Sequence, residues 1–428
     1  MPGLENGIFV KGFRKKLASG LFQMSGFASS ALLMGLLSLV SVQAMVAAGG
    51  AQVWGAIALG QAIGLVSAMV VNYGWNRAGP ARVACASPGE RRQEYVDSIR
   101  VRFALLVPTA VVAAMVAGLP VPDVWQFAAA GSLVTTANGL TGIWYFIGLG
   151  RSYLFFFLEA MPRAMGTAVG IAAMKTGLGV YLGLACIGIG VLVGFAMVTM
   201  WVYRSTTRED SGTIPRRRLR ELLVVHRQGV SSTVASTIYI VAPLTIVSVV
   251  APVSQPVFAL ADKMFRQFGV VVSVGVSSIQ GWVPRVPYGR ARFSRARAAI
   301  AAALGLGTIF GLGIAVIGGR LLYWMGDGQI STPYTIVLLV AGLLVVSTLD
   351  AVLGNAVLAA VGRLDVAVRA TYISAAIGLP LVAVGAIYYG AAGALTGVIV
   401  GLVVRIAIEL VGYTVHEKAF KPIEPGLQ

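Results

Sequence analysis

Charge is scarce in this sequence. Only 11% of its 428 residues are Asp, Glu, Lys or Arg, against about 25% in an ordinary soluble domain. A water-soluble fold of this size could not cover its surface with so few polar groups. Histidine and cysteine are scarcer still. His226 and His416 fall at expected helix ends, Cys85 in a basic loop and Cys186 inside an apolar run. That excludes a disulfide framework and leaves no metal-ligand spacing. HExxH, paired CxxC, Walker-loop and GxSxG patterns are absent. The acidic pair Glu209 and Asp210 lies in a polar loop, where solvation is the ordinary role, and no sizeable loop carries the carboxylates that a membrane glycosyltransferase, polymerase or ligase would need.

Long apolar runs are what the chain has instead. Hydrophobic residues make up 57% of it, in runs of about 20 residues from Leu21 almost to the C-terminus, each able to cross roughly 30 Å of hydrocarbon. The fold class is therefore an all-α polytopic membrane protein. A formal charge of +17 would suggest nucleic acid in a soluble protein. Here the basic residues sit in short clusters between apolar runs, so they report topology, and the expected partner is the bilayer rather than nucleic acid. FRKKLAS followed by a greasy run has the look of a signal peptide, yet the run from Leu21 to Ala47 is longer than the usual 7–15 residues. It reads as an uncleaved first span, preceded by a short interfacial helix over 9–19.

Twelve spans are expected, near 21–47, 54–76, 103–121, 124–147, 153–174, 178–203, 229–251, 256–284, 298–322, 333–358, 370–389 and 391–414. With the N-terminus in the cytoplasm, the inner segments hold Lys11, Arg14, Lys15 and Lys16, then six basic residues from Arg77 to Arg102 and seven from Arg204 to Arg227. Five more run from Arg285 to Arg297, with Arg363, Arg369, Lys418 and Lys421 in the last two segments. The outer segments hold only Lys175 and Arg320. This asymmetry places both ends in the cytoplasm of a multi-pass cell (inner) membrane protein. Every outer loop is about ten residues or shorter, so no outer domain houses chemistry. The longest inner loop, STTREDSGTIPRRRLREL, divides the chain into bundles 1–203 and 229–428 joined by a basic linker, 204–228. The halves are weakly alike: a basic lead-in, a Ser/Thr-rich span, then a span ending in GPAR or VPR, which suits a parallel repeat.

Charges inside spans are the informative remainder, because each costs at least about 2.5–3.5 kcal/mol near the bilayer centre. FALADKMFRQFGVV (Phe258–Val271) holds Asp262, Lys263 and Arg266. Arg266 falls about ten residues into its span, about 15 Å deep. Asp262 and Arg266 are spaced to pair along one helix face, whereas Lys263 points about 100° away. One reading is a packing bridge with Lys263 snorkelling outward; the other is a cationic patch in a wet cavity. Arg405 with Glu409, and Glu159 with Arg163 beside Pro162, repeat the same spacing with the same two readings. Asp350 and Asn355 lie towards the inner end of span 10. Asn72, Asn76 and Asn138 suit interhelical bonding.

Three stretches carry a resemblance. NYGWNRAGPARVA (Asn72–Ala84) is similar to the Tyr-Gly-aromatic-Asn stretch, then basic residue, Val and Ala, that ends the second span of polysaccharide flippases. IWYFIGLGRSY (Ile143–Tyr153) looks like their Trp-x-aromatic-x-Gly segment, and ALADKMFR resembles the Ala-x-x-Lys start of their eighth span. The chain thus resembles polysaccharide (O-antigen-type) flippases of the MOP exporter superfamily, relatives of MATE transporters and lipid II flippases. It departs from them in having Ile147 where a Gln is usual, which removes the amide a role there would need. The resemblance implies two six-helix bundles around a central cavity that opens alternately to each side, and a cargo of oligosaccharide on a polyprenyl pyrophosphate. Such an anion needs cations in a low-dielectric site. The expected substrate-binding residues are Lys263, Arg266, Arg405 and Arg163, with Asn76, Arg77 and Trp144 from the matched stretches. Ser and Thr of spans 1 and 7 suit sugars. Asp262, Glu159, Asp350 and Glu409 are the candidates for a coupling Na⁺ or H⁺, unless the membrane potential acts on the cargo directly; no other cofactor is expected. A monomer working beside a polysaccharide polymerase or glycosyltransferases is the expected setting. The rivals are a MATE-like drug/cation antiporter, which would favour acidic deep residues, and a membrane-embedded enzyme or scaffold of polysaccharide synthesis.

Overall fold

A backbone in hydrocarbon must satisfy its own N–H and C=O groups, which restricts spanning segments to helices or closed barrels. The computed structural model describes residues 3–205 and 217–419, with side chains placed for 26–205, 217–224, 230, 234, 237–273 and 275–418. Among the described residues every regular element is helical. The expected linker centre, Glu209, Asp210 and the side chains of His226 and of the 9–19 segment lie outside them.

The chain forms two compact units, Met1–Ile238 and Tyr239–Gln428. In the first, α1 (Gly3–Asn72) holds two spans, separated where Gly50 takes φ 79° and ψ 178°. A side chain there would add about 1–3 kcal/mol of strain, because this region is open essentially to glycine alone. The lead-in expected over 9–19 continues into α1 without a break. After a bend at Tyr73 and Gly74, both at positive φ, come α2 (Trp75–Cys85) and α3 (Pro88–Gly118). A capping box starts α3: the Ser87 N–H donates to Glu90 Oε2 at 2.8 Å, holding orphan first-turn groups. This start lies well before residue 103, because the polar turns ahead of the apolar run are helical too.

The fourth span departs most from expectation. Instead of one helix over 124–147 there are α4 (Trp125–Ala137), a 3₁₀ turn (Asn138–Leu140), and α5 (Ile143–Leu149) after the extended Thr141. Then α6 (Ser152–Phe155) runs through a π-helical turn (Phe156–Ala160) into α7 (Met161–Lys175), and α8 (Val180–Ser205) follows. An aromatic core of Trp75, Tyr95, Trp144, Tyr145, Phe146 and Phe155 packs α2, α3, α5 and α6 together.

The division between the units falls within α9 (Leu219–Val250). The second unit continues with α10 (Gln255–Trp282), α11 (Arg290–Met325) and α12 (Tyr334–Val352), whose last turns pass into a second π-helical segment (Leu353–Leu358). Finally α13 (Leu364–Ala419) holds two spans, parted at Gly390 with φ 57° and ψ −139°.

Among the described residues, seven helices are long and apolar enough by themselves to cross a membrane. Two of those, Gly26–Cys85 and Leu364–Lys418, contain the breaks at Gly50 and Gly390 and so hold two crossings each. The remaining crossings fall on α4 with α5, interrupted at Thr141, on α9, and on α10 with its charges. Apolar side chains lie outward in stripes such as Val107, Val111 and Met115 on α3 and Ile309, Leu312 and Val316 on α11. The i, i+3, i+4 spacing of these exposed residues makes each helix amphipathic in reverse, greasy side to lipid. The chain is a multi-pass membrane protein.

Candidate functional site

Three clusters of charged side chains lie at positions read from the sequence as spans or their edges. The first surrounds the break in span 4. Extended backbone at Thr141 leaves carbonyls at the end of the 3₁₀ turn and an N–H at the start of α5 without helical partners. Arg102 of α3 fills the carbonyl end, its Nη1 donating to the Thr141 oxygen at 2.8 Å and the Leu140 oxygen at 3.3 Å. Glu159 fills the other end, accepting from the Gly142 N–H at 2.8 Å and from the Thr141 hydroxyl. A cation on helix carbonyls and a carboxylate on a helix N–H both match the local dipoles. The π-helical turn presents Glu159 inward, as such one-residue widenings often do at functional positions.

Glu159 also pairs with Arg163 at 3.1 Å, and Arg163 donates through Nη2 to Asn138 Oδ1. Thus Asn138 does bond between helices. Arg102 is 0% exposed, with its guanidinium 5.6 Å from the Trp144 ring centre. Its Nε and Nη2 have no hydrogen-bond partner among the described residues. Trp144 is itself wholly buried against Gly79, where a Cβ would stand 2.3 Å from the ring. Sequence reasoning counted Arg102 with the loop cations and did not single out Thr141. The only signal for Arg102 was its position at the brink of an apolar run.

The second place is the face of α10 carrying Asp262, Lys263 and Arg266. Arg266 donates from Nε to Asp262 Oδ2 at 2.6 Å and from Nη2 to the Ile240 carbonyl of α9 at 3.0 Å. Lys263, half-buried, makes no hydrogen bond or ion pair among the described residues. Ala259, Leu260, Ala261 and Met264 bury the rest of this turn.

The third place joins α12 to α13. Arg405 Nε lies 3.0 Å from Asp350 Oδ1 and 3.2 Å from Glu409 Oε1, so two carboxylates share one guanidinium. Glu409 is 0% exposed. The second π-helical segment begins just after Asp350, and a Cβ at its Gly354 would come within 3.4 Å of Glu409 Oε1. Spacing along α13 foretold Arg405 with Glu409; nothing in it foretold Asp350.

Asn76 and Arg77 lie elsewhere, exposed beyond the bend at Gly74. Asn76 gives its N–H to Asn72 Oδ1 at 3.0 Å and accepts from Asn72 Nδ2 at 3.2 Å, so these two amides tie the end of α1 to α2 across the bend. Asn355 is exposed. Among the described residues no three His, Cys, Asp or Glu groups come together as a metal site would require.

No protein-family model and no curated protein matches the sequence. Solved structures share its fold. The inward-facing conformation of a multidrug resistance MATE family transporter of the MOP superfamily aligns with a TM-score of 0.66 at 14% identity, over 90% of this chain and 96% of that one. A MATE protein in a bent conformation aligns with a TM-score of 0.55 at 14% identity, over 94% of each chain. A eukaryotic MATE transporter aligns with a TM-score of 0.53, again at 14% identity, over 94% of this chain and 96% of that one. At these identities the likeness is one of fold.

Proposed function

We propose that the chain is a flippase of MOP type that carries a polyprenyl-pyrophosphate-linked oligosaccharide from the inner to the outer leaflet by alternating access, for cell-surface polysaccharide export. Lys263 is the observation that carries this reading. A cation at mid-span costs several kcal/mol unless something compensates it, and its neighbour Asp262 is already engaged by Arg266. A pyrophosphate would supply the missing counter-charge, with Arg266 able to turn from Asp262 to the same anion. No covalent step is needed, which agrees with the absence of enzyme signatures. Both chain ends face the cytoplasm of the inner membrane, and the protein works as a monomer beside the enzymes that build and polymerise the glycan.

Coupling falls in this reading to Asp350 and Glu409. Their three-residue cluster with Arg405 carries one negative charge in excess, so it can take up one H⁺ or Na⁺. Glu159 is worse placed, because a backbone N–H, a hydroxyl and Arg163 already occupy it. That same excess of carboxylate, with the MATE structures sharing the fold, favours a second reading: a MATE-like antiporter for organic cations.

Purified full-length protein in liposomes tests the proposal. It should flip a fluorescent polyprenyl-pyrophosphate glycan. Lys263→Ala should slow this at least tenfold, and Lys263→Arg should keep part of the rate. Unchanged flipping by Lys263→Ala overturns the anionic-cargo reading. Failure of the unaltered protein to flip, together with exchange of an organic cation against H⁺ or Na⁺, establishes the second one.

A further inference from the structure

A pocket of about 300 Å³ opens where α2 ends and α3 begins, lined by Arg82, Cys85, Ala86, Glu90, Gln93, Glu94 and Arg217. It lies apart from the charged clusters above and serves none of the roles given to them. Its chemistry is ordered by depth. Glu94 has only 10% of its side chain exposed and receives Arg217 Nη1 on Oε1 at 2.9 Å. Its second oxygen, Oε2, is buried without a hydrogen bond, the nearest cation being Arg82 Nη1 at 3.7 Å. The arginines are the outer groups, with 34% and 48% of their side chains exposed. An inner carboxylate oxygen without a hydrogen bond takes an N–H donor, and guanidiniums with exposed N–H groups can add an oxyanion to the partners they already hold.

One small group supplies both: a primary ammonium two carbons from a phosphate. We propose that this pocket binds phosphoethanolamine headgroups, the ammonium donating to Glu94 Oε2 and the phosphate lying against Arg82 and Arg217. A pocket this size admits the headgroup with water to spare. The source is a membrane lipid. Glu94 stands about seven residues, roughly 10 Å of helix, outside Val101, where the apolar stretch of α3 begins. The interfacial layers add some 5–8 Å to each side of the hydrocarbon, so the pocket sits at the outer edge of the headgroup layer, within reach of lipid headgroups. The chemistry also sets the selectivity. A choline headgroup has the same charges but no N–H to give, and a glycerol headgroup has no cation.

Cys85 lines the pocket and is exposed, so its alkylation reports occupancy. Full-length protein carrying Cys186→Ser would be placed in nanodiscs of phosphatidylcholine alone, or with phosphatidylethanolamine, its mono- and dimethyl derivatives, or phosphatidylglycerol. Maleimide should label Cys85 at least fivefold more slowly with phosphatidylethanolamine, protection should fade as methyl groups replace N–H, and Glu94→Gln should abolish it. The lipid series needs no substitution at Glu94, so it stands even if that variant misfolds. Equal labelling with ethanolamine and choline lipids overturns the site. Protection by soluble glycerophosphoethanolamine, but not by the lipid, overturns the lipid as its source.

Discussion

At the scale of single residues, the buried charges differ in kind from the surface ones. Arg363 and Asp365 pair at 3.1 Å with 34% and 47% of their side chains exposed, where such a pair contributes about 0–1 kcal/mol. Arg102 has no exposure and holds two carbonyls at a helix break. Removing it leaves those acceptors bare and deprives the Glu159 carboxylate of a nearby cation. Breaking a buried arrangement from one side costs about 3–5 kcal/mol. Arg102→Ala should therefore lower the melting temperature of detergent-purified protein by about 5 °C, while Arg363→Ala changes it by about 1 °C or less. Glu159→Gln should fall between them, because an amide oxygen still accepts from the Gly142 N–H while the ion pair with Arg163 is lost. Equal melting of Arg102→Ala and Arg363→Ala would show that the buried guanidinium holds nothing in place.

At the scale of elements, the broken fourth span depends on a neighbour that makes room for it. Gly79 lets α2 lie against the Trp144 ring, which in turn backs the Arg102 guanidinium. An added methyl 2.3 Å from the ring must push it aside, and overpacking of this kind costs about 1–3 kcal/mol. Gly79→Ala should shift the tryptophan emission and lower the melting temperature by several degrees, whereas Ala78→Gly next to it should leave the emission unchanged. What could be read in advance follows from geometry. Runs of apolar residues announce spans, and a helix alone brings Asp262 to Arg266, Glu159 to Arg163 and Arg405 to Glu409, four residues apart. Asp350 meets Arg405 only because α12 packs on α13, and Arg102 reaches Leu140 only because α3 packs beside span 4. Pairings between helices leave no period in the sequence. The 138–142 break does leave a mark, because Asn138, Gly139 and Gly142 are turn-forming, helix-weakening residues, but the apolar run around them reads as one span.

At the scale of the whole molecule, the deep charges separate the two proposed readings, an anionic cargo and a cationic one. The α10 cluster of Asp262, Lys263 and Arg266 carries one positive charge in excess, and the cluster of Asp350, Glu409 and Arg405 one negative. Whichever cluster meets the cargo, the other is left for coupling or packing. Binding in detergent separates these, because charge removal acts on affinity directly and a close desolvated pair contributes several kcal/mol. If the cargo is a lipid pyrophosphate, Lys263→Gln should weaken its binding about tenfold or more, and the Asp350→Asn, Glu409→Gln double variant should bind it as well as the parent while losing any dependence on pH or Na⁺. If the cargo is an organic cation, tetraphenylphosphonium should bind the parent, lose affinity about tenfold in the double variant, and be indifferent to Lys263→Gln. Added salt should weaken either interaction less than it would a surface pair, because screening reaches desolvated charges poorly. A double variant that loses the glycan lipid as severely as Lys263→Gln does would mean that the carboxylates hold the cargo itself, and the division of labour between the two clusters would be wrong.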